Sequence, residues 1–88
     1  MVHTKTITLP TLGTQVTIDL SKITMREWRS LFDKEQAQEV DDAIMSKILG
    51  IESILDLSFA DSRFATDSAM QFALEYAQHA TDTADPKA

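Results

Sequence analysis

Cysteine is absent from this 88-residue chain, which removes disulfides, thiolate metal sites and cysteine nucleophiles together and fits a reducing compartment. Glycine occurs only at Gly13 and Gly50. Neither a G-x-x-x-x-G-K nor a G-x-G-x-x-G phosphate cradle can therefore be built, and nucleotide chemistry loses its usual scaffold. The two histidines, His3 and His79, lie near opposite ends, and neither has a nucleophile beside it in the sequence. No apolar run approaches the roughly 18 residues of a membrane span. The first twenty residues alternate in polarity instead of pairing a basic stretch with an unbroken apolar one, so no signal peptide is expected. These absences together predict a soluble, cytoplasmic, non-enzymatic protein without cofactor or metal.

What is present is an ordinary globular balance, 43% hydrophobic and 25% charged residues, enough apolar content to fold into one core. A single domain is expected over residues 1–80, with a hairpin over about 3–20, helices over about 24–80, and a flexible C-terminal tail over 81–88. The net charge of −6 is uneven: residues 1–34 carry five Lys/Arg against three Asp/Glu, whereas residues 35–88 carry three against eleven. The acidic half would be repelled by a phosphate backbone, so nucleic acid is disfavoured as a partner, and no membrane partner is expected.

Period-two alternation gives the first elements. Ile7 and Leu9 share one side with Lys5, opposite Thr4, Thr6 and Thr8; after the turn chemistry of Pro10 to Gly13, Val16, Ile18 and Leu20 alternate with Gln15, Thr17 and Asp19. Thr24-Met25-Arg26-Glu27 has the form of a capping box and should start a short helix, with Met25, Trp28 and Phe32 packed inward on the hairpin and Arg26 and Arg29 turned away. A second helix is expected from Glu35 through Val40, Ile44, Met45, Ile48 and Leu49 to a stop at Gly50. Ile51 to Leu57 reads as a bridge of one or two turns. Ser58 should cap a long last helix whose stripe is Ala65, Ala69, Phe72, Ala73, Tyr76 and Ala80. The fold class is α+β: an N-terminal β-hairpin followed by three or four helices, mostly helical.

Glu35, Glu39 and Asp42 would share a helix face, but a line of carboxylates lacks the convergent cage a hard cation requires, and a solvated acidic face explains them better. Aromatic or guanidinium side chains off the core stripes are the candidate partner surface: Arg26, Arg29, Phe59, Arg63 and Phe64. At Phe59 and Phe64 the competing reading is cover by the Ile51 to Leu57 bridge.

Val16-Thr17-Ile18-Asp19-Leu20-Ser21-Lys22-Ile23-Thr24-Met25-Arg26-Glu27-Trp28-Arg29-Ser30-Leu31-Phe32-Asp33 resembles the start of small tailed-bacteriophage tail assembly chaperones. The acidic and glutamine-rich stretch Lys34 to Asp42, the helix Asp42 to Ile51, the step Glu52 to Ser58 and the helix start Asp61 to Phe64 extend the resemblance over about residues 5–75. After Phe64 no further basic or aromatic residue appears before Phe72, a departure from the aromatic-basic start of that family's last helix. The resemblance implies an assembly factor of the bacterial host cytoplasm, made from a phage or prophage, that binds the tape-measure protein and helps recruit tail-tube subunits, with self-association left open. Two rivals are weighed against it. One is an acidic decoy imitating DNA phosphates and blocking a host nucleic-acid-binding protein, with Glu35, Glu39, Asp41, Asp42, Asp56 and Asp61 in spaced surface rows. The other is a small interaction domain or minor enzyme of different role.

Overall fold

The computed structural model describes residues 2–84, with side chains through Gln78. Strands β1 (Thr4–Thr8) and β2 (Gln15–Asp19) pair antiparallel, with Thr6 opposite Thr17 and Ile7 opposite Val16. The turn closes through Leu9 N–H to Thr14 O and Gly13 N–H to Leu9 O, both 2.9 Å. Gly13 sits at φ +72°, the left-handed region a tight turn needs and a β-carbon resists. One face of the hairpin buries Ile7, Leu9, Val16 and Ile18, while Thr6 and Thr17 face each other on the outer face with hydroxyls 3.3 Å apart.

Leu20–Lys22 form a single 3₁₀ turn, capped by the Asp19 carboxylate, which accepts from the Ser21 amide at 3.0 Å. The capping box then starts α1 (Met25–Ser30): the Thr24 hydroxyl accepts from Glu27 N–H at 3.2 Å, and the Glu27 carboxylate accepts from Thr24 N–H at 2.9 Å. Helix α2 (Gln38–Leu49) buries Ile44, Met45, Ile48 and Leu49 in the core it shares with the hairpin. It ends at Gly50, whose φ of +67° places it in the left-handed region. The next amide, of Ile51, bonds back to Ser46 O at 3.1 Å. Open space surrounds a β-carbon built at Gly50, so Gly50→Ala should cost only the left-handed penalty of about 1–2 kcal/mol. A lowered thermal midpoint with unchanged binding would show it.

A 3₁₀ turn over Ile54–Asp56 bridges to α3 (Phe59–Ala84). The bridge is tied to α2 by Ser46, whose buried hydroxyl donates to Asp42 O at 2.7 Å and accepts from Ile54 N–H at 2.8 Å. Ser58 Oγ accepts from Asp61 N–H at 3.2 Å and caps α3 as its sequence suggests. Ala65, Ala69, Phe72 and Ala73 are its buried face. Hairpin, α2, the bridge and α3 thus share one core. Helix α3 continues through 81–84, where the flexible tail was expected to have begun; 85–88 of that tail, and the side chains of His79 and Ala80, lie outside the described residues.

Three expectations are corrected. Helix α2 begins at Gln38, not Glu35, because Asp33 organises its own turn: its carboxylate accepts from Glu35 N–H at 2.9 Å and its carbonyl from Gln36 N–H at 3.2 Å. Glu35 therefore shares no helix face with Glu39 and Asp42. Val40 is exposed, since burial along α2 starts one turn further on at Ile44. The stripe of Met25, Trp28 and Phe32 does not pack inward: α1 has no buried residue, Met25 and Phe32 are exposed, and Trp28 is half-buried. Instead the half-buried Ile23 and Leu31, which flank the six-residue helix, pack on the core.

Candidate functional site

The outer flank of α3 faces two apolar depressions. The first, of about 540 Å³, lies between α2, the bridge and α3; Leu31, Met45, Ile54, Leu57 and Met70 supply its apolar lining, and Phe59 and Arg63 also border it. Phe59 is 82% exposed, and Leu55 beside the same depression is also largely exposed. Asp41 and Asp42 of α2 place carboxylates at its edge. Gln36 Nε2 donates to the Asp41 carboxylate at 2.5 Å and to Ser30 O at 3.0 Å, pinning the end of α1 to the start of α2.

The second depression, of about 380 Å³, is formed by Leu20, Ile23, Met25 and Trp28 on one side and Ala73, Tyr76 and Ala77 of α3 on the other. Among the described residues, no charged side chain lines it. Trp28 meets Phe32 edge to face, centroids 5.1 Å apart and planes at 80°, a favourable aromatic geometry that fixes the indole at the groove wall. Helix α1 is held to α2 by the Glu27 carboxylate, which takes Lys47 Nζ at 2.6 Å while still capping its own helix. The Lys47 ammonium, followed by the Thr24 amide, holds the Glu27 carboxyl below its ordinary value.

Of the partner-surface residues expected from sequence, Phe59 and Arg63 are brought together at the first depression, one helical turn apart. Arg63 is also paired with Asp67 at 3.2 Å. Phe64, 41% exposed, points from the far flank of α3, and Arg26 and Arg29 are exposed on α1 outside both depressions. Of the two readings of the aromatic pair, exposure holds at Phe59; the bridge leaves it uncovered. Met70 and Trp28 also border the grooves, and Met45, buried in the core as its place on α2 predicts, lines the first as well.

Asp61 departs furthest from expectation. Placed among surface acids by the decoy reading, it is 0% exposed and reaches back to the hairpin turn. Its carboxylate accepts from the Thr11 amide at 2.8 Å, the Thr11 hydroxyl at 2.6 Å and the Leu12 amide at 3.3 Å. Burial pushes this carboxyl up, but the Thr11, Leu12 and Ser58 hydrogen bonds together outweigh it and hold it below the ordinary 3.8. The spaced acidic row required of a phosphate mimic therefore loses one of its members. Among the described residues, no group of three or more His, Asp or Glu side chains converges as a metal cage, and no helix is long and apolar enough to cross a membrane. His3 lies 3.8 Å from the Asp19 carboxylate. Set against known protein families, curated proteins and solved structures, the chain gives no match.

Proposed function

We propose that the chain is a tail assembly chaperone of the tailed-bacteriophage kind, a non-enzymatic protein of the bacterial cytoplasm. In this role it holds apolar helical segments of the tape-measure protein in solution and helps bring tail-tube subunits to them. The observation that carries the reading is the first depression: an apolar hollow of about 540 Å³ bordered by the half-buried Met70, the buried Met45 and a phenylalanine, Phe59, that is largely in water. Flexible, polarizable methionines repack around varied apolar side chains, which suits a binder that must accept successive turns of a long partner. An aromatic side chain left in water beside such a groove has no folding role there and is suited to act as an interface anchor. The order of motifs from Val16 to Phe64 supports the same reading.

Co-expression with a tape-measure fragment tests it. The wild-type chain should co-purify with the fragment and keep it soluble, whereas Phe59→Ser combined with Leu55→Ser should weaken capture at least about tenfold. Both side chains are mostly in water, so the unfolding midpoint should move by no more than about 0.5 kcal/mol equivalent. Phe64→Ser, on the other flank, should weaken capture less. A fragment that never associates with the wild-type chain would reject the assignment.

A further inference from the structure

The two depressions lie along one flank of one helix. Phe59, Arg63, Thr66 and Met70 border the first, and Ala73 and Ala77 border the second. These positions follow one another at alternating spacings of four and three, the seam spacing along which a second helix runs nearly parallel to the first. At about 1.5 Å per residue the run from Phe59 to Ala77 extends roughly 27 Å, five turns of a partner helix. Helix α1 borders the second depression through Met25 and Trp28, and Leu31, the residue just after its last turn, borders the first.

Charge gives the groove a polarity. Asp41 and Asp42 stand at the first depression, and among the described residues neither has an ion-pair partner. The cation on the facing wall, Arg63, is already engaged by Asp67. Among the described residues, the second depression has no charged side chain on its lining. We infer that the two depressions are a single docking site for one amphipathic α-helix of another polypeptide. Its apolar stripe spans about five turns, and it carries lysine or arginine where it passes Asp41 and Asp42. The inference rests on the chain being a polypeptide binder, but not on the partner being a tape-measure protein.

Trp28 is the only tryptophan and borders the second depression, so its emission reports occupancy there. The probe is a synthetic 18-residue helix-forming peptide with a leucine stripe at alternating spacings of three and four and lysines in both end turns; a second version carries glutamates in place of the lysines. With the full-length chain, the lysine peptide should bind and shift Trp28 emission. The glutamate peptide should bind about threefold to tenfold more weakly at low salt, a gap that closes in Asp41→Asn/Asp42→Asn and at high salt. Met70→Glu should abolish binding of both while circular dichroism stays that of the wild type. Peptide binding without any change in Trp28 emission would overturn the single-site inference and leave the chaperone reading standing. So would a tape-measure fragment that co-purifies while neither peptide binds. Failure of fragment and peptides alike would sink both. Sedimentation should show a monomer; a dimer dispersed by Met70→Glu would put a second copy in the groove and overturn the inference.

Discussion

Asp61→Ala is expected to lower the thermal unfolding midpoint by about 5–15 °C, a large shift for an 88-residue domain. The carboxylate links α3 to the hairpin turn by taking three donors from Thr11 and Leu12, beside a weaker contact of the Thr11 and Ser58 hydroxyls at 3.2 Å. Alanine leaves those donors without their acceptor and frees the turn from the helix start. Asparagine should recover less than half of the loss, because both oxygens are used and its NH₂ group would face a donor. Glu75→Ala, at an exposed site on the same helix, is the control and should move the midpoint by no more than about 2 °C. A variant at position 61 that melts like the wild type would show that the link contributes nothing.

The same group sets an acid limb. Its folded-state titration lies below the ordinary 3.8, so between the two values the unfolded chain binds a proton that the folded chain does not. Stability therefore rises with pH in that window. The contribution is fully present above the ordinary carboxylate range and is lost as pH falls through the folded value. Glu27 and Asp19 are shifted the same way, Glu27 chiefly by Lys47 and Asp19 chiefly by the Ser21 hydroxyl, so the limb should be shallower in Asp61→Ala without disappearing. Urea midpoints from pH 7 down to pH 3 would measure it; parallel wild-type and variant curves would remove Asp61 from the account.

What the sequence reveals and what it hides divides along the range of the interactions. The Thr24 capping box, the stop at Gly50 and the Ser58 cap depend on residues within a few positions of one another, the hairpin on two strands joined by one short turn, and all are legible. Asp61 is not: its partners Thr11 and Leu12 lie some fifty positions upstream, and a Ser-x-x-Asp helix start gives no hint that the carboxylate turns to another element. The Met25, Trp28 and Phe32 stripe has sound helical spacing, but spacing names a face without saying what covers it. In a six-residue helix that face can equally border a groove. The sequence puts the start of α2 too early because Asp33 is as good a turn former as Glu35 is a helix former, and only the observed turn decides between them. For the groove, the Phe59 and Arg63 pair was legible as side chains off the core stripe, whereas Met45 and Met70 have the spacing of ordinary core residues and gain their place only when α2 and α3 meet.

Phe72→Ala should be the most damaging single change. Helix α3 buries Ala65, Ala69 and Ala73 alongside Phe72, which is 3% exposed, so one ring supplies most of the large apolar contact on that face. Its removal should cost about 3–5 kcal/mol, the usual sum of lost transfer energy and an unfilled cavity. At about 0.05–0.15 kcal/mol per residue the whole domain has roughly 4–13 kcal/mol, so at the low end this variant loses most or all of its stability at 25 °C. Phe72→Leu should keep most of the stability. The alanines do the complementary work of letting the helix approach its neighbours closely, and Ala69→Leu should cost about 1–3 kcal/mol by forcing them apart. Residues 69 and 72 are one turn apart on the same face. Leucine at 69 can therefore refill part of the space left at 72, and the double variant should lose less than the sum of the single losses. Strict additivity in urea titrations would place the two side chains in separate pockets. Coupling would show that the tight seating of α3, which also sets the distance between Met45 and Met70 across the groove, depends on one ring among small neighbours.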